Sequence, residues 1–359
     1  MRSIHIIGSR GLGGAESFFL RLTSALSERS EHDVIALTRP KAAVVNHLSE
    51  RVRHHTAAMR NGWDIASIFA IRAVAKKLAP DIVQTYMGRS TRLTRLPGSS
   101  KALHVARLGG YYKIDGYYRH ASAWIGNTDA LCEYMIREGL PARRVWKIGN
   151  FVDIQQRTPN GKLAKLRHDY DINSNNLVLF SLGRFIEKKG FEDLLDAFAL
   201  MPRHINGREV ILVIAGDGPL RKELHKRANS MSIRSRLRWV GWQAQTGPFF
   251  DLADVAICPS RDEPFGNVIL EAWAHSVPIV STATLGAREL IEPDIDGVVV
   301  PMRDPQAMAS CLKSLLSEGE TVWRQFAACG RGTVAKRYSR SEIVQSYESL
   351  YESLRTPWI

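Results

Sequence analysis

Leu177-Val178-Leu179-Phe180-Ser181-Leu182-Gly183-Arg184-Phe185-Ile186-Glu187-Lys188-Lys189-Gly190 is an apolar run, then a short charged loop between glycines, then the helical period that starts at Phe191. The beginning of the chain has the same plan. Ile4-His5-Ile6-Ile7 leads into Gly8-Ser9-Arg10-Gly11-Leu12-Gly13-Gly14, and a helical period over 15–29 follows. After each opening, β-rich runs alternate with helical periods. The runs lie at 33–37, 81–85, 102–107, 123–125 and 145–148, and again at 210–215, 237–240, 255–258, 278–280 and 297–300. Helices are expected over 64–78, 129–138, 191–201, 220–231, 267–275, 305–317 and 321–337. This alternation predicts an α/β chain of parallel sheets with helices on both faces, the domain itself being the repeat. Residues 149–175, with Pro159-Asn160-Gly161 and a polar run at 173–176, read as the connection between two domains. A last helix over 341–354 carries Ile343, Tyr347, Leu350, Tyr351 and Leu354 as one apolar stripe.

Composition agrees with two globular domains: 359 residues, 45% apolar and 24% charged. No apolar run approaches the ~18 residues of a membrane-spanning helix. The apolar start is too short for a signal-peptide core, so a cytosolic protein is expected. Cys132, Cys258, Cys311 and Cys329 are scattered, which predicts four buried thiols and neither disulfides nor structural zinc. Charge is uneven. Residues 1–170 carry a net +14 and residues 171–359 a net −1. A basic half suits an anionic partner, such as nucleic acid, phospholipid or an acidic substrate, or serves solubility alone.

Three stretches could carry chemistry. In Gly8–Gly14, amides at a helix start suit an anion, although a tight structural turn needs the same residues. A dinucleotide fingerprint is disfavoured, because its third glycine would fall on Glu16 and the second strand ends at Thr38-Arg39, without a ribose-binding acid. In Gly183–Gly190, Arg and Lys at the C-terminal end of a parallel strand suit a diphosphate, the alternative being a solvated turn. In Glu263-Pro264-Phe265-Gly266-Asn267-Val268-Ile269-Leu270-Glu271, two carboxylates stand eight residues apart. A continuous helix would separate them by about 12 Å, too far for a glycosidase pair. Pro264 and Gly266 instead predict a loop entering a helix near Asn267, with Glu263 before it and Glu271 one turn inside. Asp294-Ile295-Asp296 reads as a surface turn, so no metal ligand set is assigned.

These motifs, with Ala215-Gly216-Asp217-Gly218-Pro219-Leu220, resemble family 4 retaining glycosyltransferases in order and spacing over nearly the whole chain. The resemblance implies a GT-B fold: two Rossmann-like parallel-sheet domains facing a cleft, with the C-terminal helix crossing back to the first domain. The expected bounds are 1–158 for the acceptor-side domain, 159–338 for the nucleotide-sugar domain and 339–359 for the returning helix. It further implies that Arg184 and Lys189 bind the donor diphosphate and that Glu271 bonds the ribose. Glu263 would bond the transferred sugar and, with Arg184 and Lys189, carry the catalysis. Amides of Phe265, Gly266 and Asn267 assist, Gly13 and Gly14 close on the phosphates, and the base lies near Val240. Many relatives have a His-Asp pair where this chain has Leu108-Gly109-Gly110-Tyr111-Tyr112. The donor-sugar contact of that His has no counterpart here beyond a weak one in Arg107. The Arg107–Tyr112 stretch most resembles bacterial enzymes of lipopolysaccharide and envelope-glycan synthesis.

The expectation is therefore a retaining glycosyltransferase that needs no metal or other cofactor. It would move a sugar from a nucleotide sugar, a UDP-sugar, to an anionic lipid-linked or glycan acceptor. Arg89, Arg92, Arg95 and Arg107 are assigned to that acceptor and to an anionic membrane at its cytoplasmic face. The alternatives are an epimerase or phosphorylase on the same fold, or a non-enzymatic anion- or nucleic-acid-binding protein. Nucleic acid is disfavoured, because the basic residues are not interleaved with aromatic ones.

Overall fold

The computed structural model describes residues 1–154 and 156–355. Gln155, in the expected connection, and residues 356–359, at the end of the expected last segment, lie outside the described residues. The chain forms two compact units, Met1–Phe151 with Arg340–Ile359, and Val152–Ser339.

In the first unit seven parallel strands are β1 (Arg2–Ile7), β2 (Asp33–Thr38), β3 (Arg53–Thr56), β4 (Ile82–Tyr86), β5 (Leu103–Arg107), β6 (Ala123–Gly126) and β7 (Val145–Lys147). Their order is β3-β2-β1-β4-β5-β6-β7. The period-2 alternation of a strand explains the two cores. Ile4 and Ile6 of β1 pack with Ile35, Leu37, Ile71 and Val83 on one face, while Ile7 packs with Phe18, Phe19 and Tyr86 on the other. The apolar stripe of the helix Arg340–Arg355 is buried in that second core. Each such side chain contributes on the order of 1.5–3 kcal/mol when fully buried. The stripe is also held by polar bonds: Tyr351 Oη donates to Gln84 Oε1, and Arg107 Nε donates to Tyr347 Oη at 3.0 Å.

The second unit repeats the topology. Its strands are β8 (Leu177–Leu182), β9 (His204–Ile205), β10 (Arg208–Ala215), β11 (Leu237–Gly241), β12 (Val255–Cys258), β13 (Ile279–Thr282) and β14 (Val298–Val300). The parallel order is β11-β10-β8-β12-β13-β14, with β9 antiparallel against β10. In both sheets the opening strand is central and the winding reverses beside it, at β1/β4 and at β8/β12. In α/β sheets such a reversal is where ligands bind, at the C-terminal edge of the sheet.

Several elements escaped the sequence. β3 reads Arg-His-His-Thr on a sheet edge and has no apolar run. The helix Asn160–Asp169 occupies the expected connection and buries no residue, so it has no stripe to detect. Met87–Leu93, Gly247–Leu252 and Leu285–Leu290 span only six or seven residues, too few to show a period. Residues 294–296 form the expected turn, with Asp294 and Ile295 exposed, but the Asp296 side chain points inward. It is 3% exposed, its Oδ1 accepts from Glu292 N at 2.8 Å and its Oδ2 from the Thr333 hydroxyl at 2.9 Å. Of the four thiols only Cys132 and Cys258 are buried; Cys311 and Cys329 are half-buried.

Candidate active site

The crevice beside β8 and β12 is built by two loops that fasten to each other. After β8 the chain runs through Gly183–Lys189 and turns at Gly190, whose φ of +63° lies in the left-handed region. A Cβ there would stand 2.0 Å from the Pro259 carbonyl oxygen, so only glycine lets this loop approach the one after β12. The amide of Arg261 donates to Lys188 O at 2.8 Å. The Arg261 guanidinium grips Asp193, in the first turn of the helix Phe191–Leu200, with two bonds of 2.7 Å, and Glu192 at 2.9 Å. Those carboxylates, Asp193 first, hold Arg261 above its ordinary pKa.

On this frame sit two ion pairs in register, Lys188 with Asp262 and Lys189 with Glu263. The first is exposed. The second is largely enclosed, with side-chain exposures of 25% for Lys189 and 15% for Glu263. Burial works against the Lys189 charge. The Glu263 carboxylate, with smaller contributions from Cys258 and Glu271, outweighs it and raises the ammonium above the usual lysine value. A lysine so held stays a cation at neutral pH and can meet a phosphate. Arg184, in the same loop, is exposed to solvent.

Beyond Glu263 the chain turns left-handed at Gly266, with φ +97°, and enters the helix Asn267–Ala274 without a side-chain cap. The start of that helix carries the partial positive charge that suits an anion. Glu271 lies one turn inside. Two elements unassigned in the sequence reading set this loop. Gly286 N donates to Glu263 O at 3.0 Å, and a Cβ on Gly286 would stand 2.3 Å from Phe265 O. Thr284 caps the same short helix through Ala287 N at 3.3 Å. The Thr-x-Gly pattern at 284–286 is the signal that could have found them.

The structure thus brings Lys189 and Glu263 together, with Arg184 on the same loop and Glu271 acting on the same lysine. The side chains of the other assigned residues lie as follows. The Val240 side chain is 7% exposed and belongs to the core, and its carbonyl accepts from Gln243 Nε2 at 2.5 Å. Phe265 is 3% exposed and packs edge-on against Tyr338. Arg107 presents no charge to a surface. At 3% exposure it bonds Tyr347 and Asn150 and lies 3.9 Å over the Phe18 ring. Arg89, Arg92 and Arg95 do not form an exposed basic stripe either. The helix ends at Leu93, before Arg95, and all three are half-buried. Arg89 bonds Gly8 O at 3.1 Å, Arg92 stacks 3.4 Å over Trp63, and Arg95 Nε donates to Arg92 O at 3.2 Å. Gly13 and Gly14 open the helix Gly14–Ser27 of the first unit, again without a side-chain cap. In the departing segment, Leu108 is fully buried and Tyr111 packs edge-on against Tyr134.

Comparison with known proteins agrees with this architecture. Residues 12–156 match the family model described as Glycosyltransferase Family 4, and residues 164–327 match Glycosyl transferases group 1. The lipopolysaccharide core biosynthesis glycosyltransferase LpsE of Rhizobium meliloti (strain 1021) is 31% identical over 344 residues, 95% of this chain and 96% of that protein. LpsD of the same organism is 27% identical over 98% of both chains. The crystal structure of Anabaena HepE, solved with UDP and glucose, superposes with a TM-score of 0.84 at 21% identity, covering 98% of this chain and 100% of that one. Two parallel sheets of matching order, each reversed beside its opening strand, and a match to LpsE from end to end lead to one conclusion: this chain belongs to glycosyltransferase family 4 and has the GT-B fold.

Proposed function

We propose that this glycosyltransferase transfers a sugar with retention, without a metal, from a UDP-sugar to a lipid-linked or lipopolysaccharide-type envelope acceptor. The observation that carries the reading is the enclosed Lys189–Glu263 pair at the β8/β12 crevice. A donor diphosphate takes Lys189 as a point charge and Arg184 as a two-pronged donor, and the amides opening Asn267–Ala274 add to them. Glu263, released from Lys189, accepts from hydroxyls of the transferred sugar. Glu271 accepts from the ribose. Charge builds on the diphosphate as the glycosidic bond breaks, and donors fixed in advance stabilise that charge most. The acceptor hydroxyl attacks from the face the diphosphate leaves, and the departing phosphate oxygen takes its proton. The choice of UDP is supported by the nucleotide bound in HepE, and the envelope acceptor by the names of LpsE and LpsD.

The membrane face of this reading is moved from Arg89, Arg92 and Arg95 to the start of the helix Ile65–Leu78. Trp63, Ile65 and Phe69 are 75%, 66% and 62% exposed, and Lys76 and Lys77 on the same helix are exposed as well. Among the described residues no helix is long and apolar enough to cross a membrane. An apolar patch flanked by lysines suits adsorption to an anionic bilayer, at about 1 kcal/mol per lysine near the surface.

The test uses the full chain, UDP-glucose or another UDP-sugar, and rough-type lipopolysaccharide as acceptor, with and without EDTA. UDP release should persist in EDTA, and an α-linked donor should give an α-linked product by NMR. Loss of activity in EDTA restored by Mn²⁺ would overturn the metal-free step, and a β-linked product would overturn retention.

A further inference from the structure

At the N-terminal edge of the first sheet, opposite the edge at which the Gly8–Gly14 loop leaves β1, a cavity of about 400 Å³ opens before β5 and β6. Its wall includes Arg72, Arg95, Ser100, His104, His120 and Ser122 and, among the described residues, no carboxylate. Arg72 comes from the helix Ile65–Leu78, and its Nε donates to Arg95 O. Arg95 Nε donates to Arg92 O at 3.2 Å. Among the described residues neither guanidinium makes an ion pair or another hydrogen bond, so each is fixed through Nε and keeps its two terminal nitrogens for a ligand. The two hydroxyls also have capacity left. Ser100 Oγ accepts from Ala102 N at 3.2 Å and Ser122 Oγ from His104 N at 3.4 Å, and among the described residues neither donates. The charges acting on this wall are of one sign. Burial and then Arg92 lower the Arg95 pKa; burial, His120 and Arg95 lower His104 to about 3; burial and Arg95 lower His120, whose Nε2 is held by Thr91 O and Thr94 O.

Cations gathered without a carboxylate repel one another, and an anion among them removes that cost. Guanidinium forks present paired N–H groups that oxyanions accept, and the hydroxyls add neutral donors. Two forks and two hydroxyls outnumber the two oxygens of a carboxylate and suit the three of a phosphate. The cavity leaves room for part of the bearer as well. We propose that Arg72, Arg95, Ser100 and Ser122 form an anion site that takes the phosphoryl group of a phosphate ester, borne by a soluble compound or by a phospholipid headgroup. The headgroup is a source because the helix that carries Arg72 also exposes Ile65, Phe69, Lys76 and Lys77. The site does not rest on the glycosyl-transfer reading.

The full chain, with saturating UDP to occupy any nucleotide site, is titrated calorimetrically with inorganic phosphate and with glycerol 3-phosphate at constant ionic strength. Both should bind. Arg72→Met and Arg95→Met should each weaken the ester at least tenfold, as expected for a lost charge-assisted bond. Arg72→Lys and Ser122→Ala should weaken it less, and they decide the matter if a methionine variant fails to fold. Lys76→Ser combined with Lys77→Ser, on the same helix but outside the cavity wall, should leave the ester's affinity unchanged. Ring-proton NMR gives a local readout: the ester should raise the His120 pKa by offsetting the Arg95 charge that lowers it. Flotation with phosphatidylglycerol vesicles then separates the sources. Binding that glycerol 3-phosphate competes away and Arg72→Lys weakens assigns the site to a headgroup; flotation indifferent to both assigns it to a soluble ester. Four results would overturn the proposal: a wild type that binds neither soluble phosphate, equal ester affinity in the wild type and all four cavity variants, a loss in the lysine pair as large as in Arg72→Met, or a His120 pKa that the ester does not move.

Discussion

The two glycine loops occupy equivalent places in equivalent sheets and are finished in opposite ways. After β8, nearly every charge is answered from within the chain: Lys188 by Asp262, Lys189 by Glu263, and Asp193 by Arg261. After β1, among the described residues, the Ser9 hydroxyl is buried without a partner and the Arg39 guanidinium makes no ion pair. A loop whose cations already hold carboxylates is shaped before its ligand arrives, and the ligand exchanges one partner for another. The difference is also steric. Gly190 is pressed against Pro259 O, whereas a Cβ on Gly11 would meet nothing within 4 Å.

The largest test of this contrast is therefore Gly190→Ala beside Gly11→Ala. The first combines a left-handed residue with a backbone clash and should cost about 4 kcal/mol or more, lowering the melting temperature by roughly 10 °C. The second should stay within about 0.5 kcal/mol. Equal effects in calorimetric melting would remove the distinction between a braced loop and an open one.

Next in size is the exchange of partners at Lys189. Glu263→Ala should reduce kcat about 100-fold while UDP affinity holds or rises slightly, because the lysine is then free for the diphosphate. Glu271→Ala should instead weaken UDP itself, by roughly tenfold, by loss of a charge-assisted bond to the ribose. Steady-state kinetics with UDP calorimetry decides, and the reverse pattern would exchange the two roles.

The smallest effect separates the units by pH. His5 and His104, both in the first unit, are lowered to about 3, by burial first and then by nearby His32 for one and by His120 and Arg95 for the other. Folded, they stay neutral; unfolded, they take protons below about 6.5. Stability is lost as pH falls from 6.5 toward 3, by about 0.8 kcal/mol per histidine at pH 6.0. In the second unit Asp251 behaves otherwise. Burial opposes its charge, but His275 and Thr158 hold it below the usual carboxylate value, so its contribution fades only under strong acid. Hydrogen exchange at pH 7.5 and 6.0 should show the strands around His5 and His104 losing protection first. Uniform loss across both sheets would contradict this.

Much of the site was legible because each piece has a local signature. The Gly-rich turns, the cations at 184 and 189 and the Glu-Pro-Phe-Gly-Asn entry into a helix are written within a few residues of one another. What misled was inference from spacing to exposure. Arg89, Arg92 and Arg95 recur every third residue, but the helix stops at Leu93 and each guanidinium turns inward to Gly8 O, Trp63 or Arg92 O. Arg107 and Asp296 are charged residues that the fold buries because Tyr347, Asn150 and Thr333, distant in sequence, complete them.

By itself the sequence determined the two βαβ series, the glycine loops at the ends of their opening strands, and the buried stripe of the last helix, because periodicity and turn chemistry are properties of neighbouring residues. Only the tertiary structure decided which charges find partners. Lys189 meets Glu263, 74 residues away, while among the described residues Arg39 makes no ion pair. Whether a charge is answered depends on the few ångströms around it, and strand order rather than distance along the chain sets what lies there.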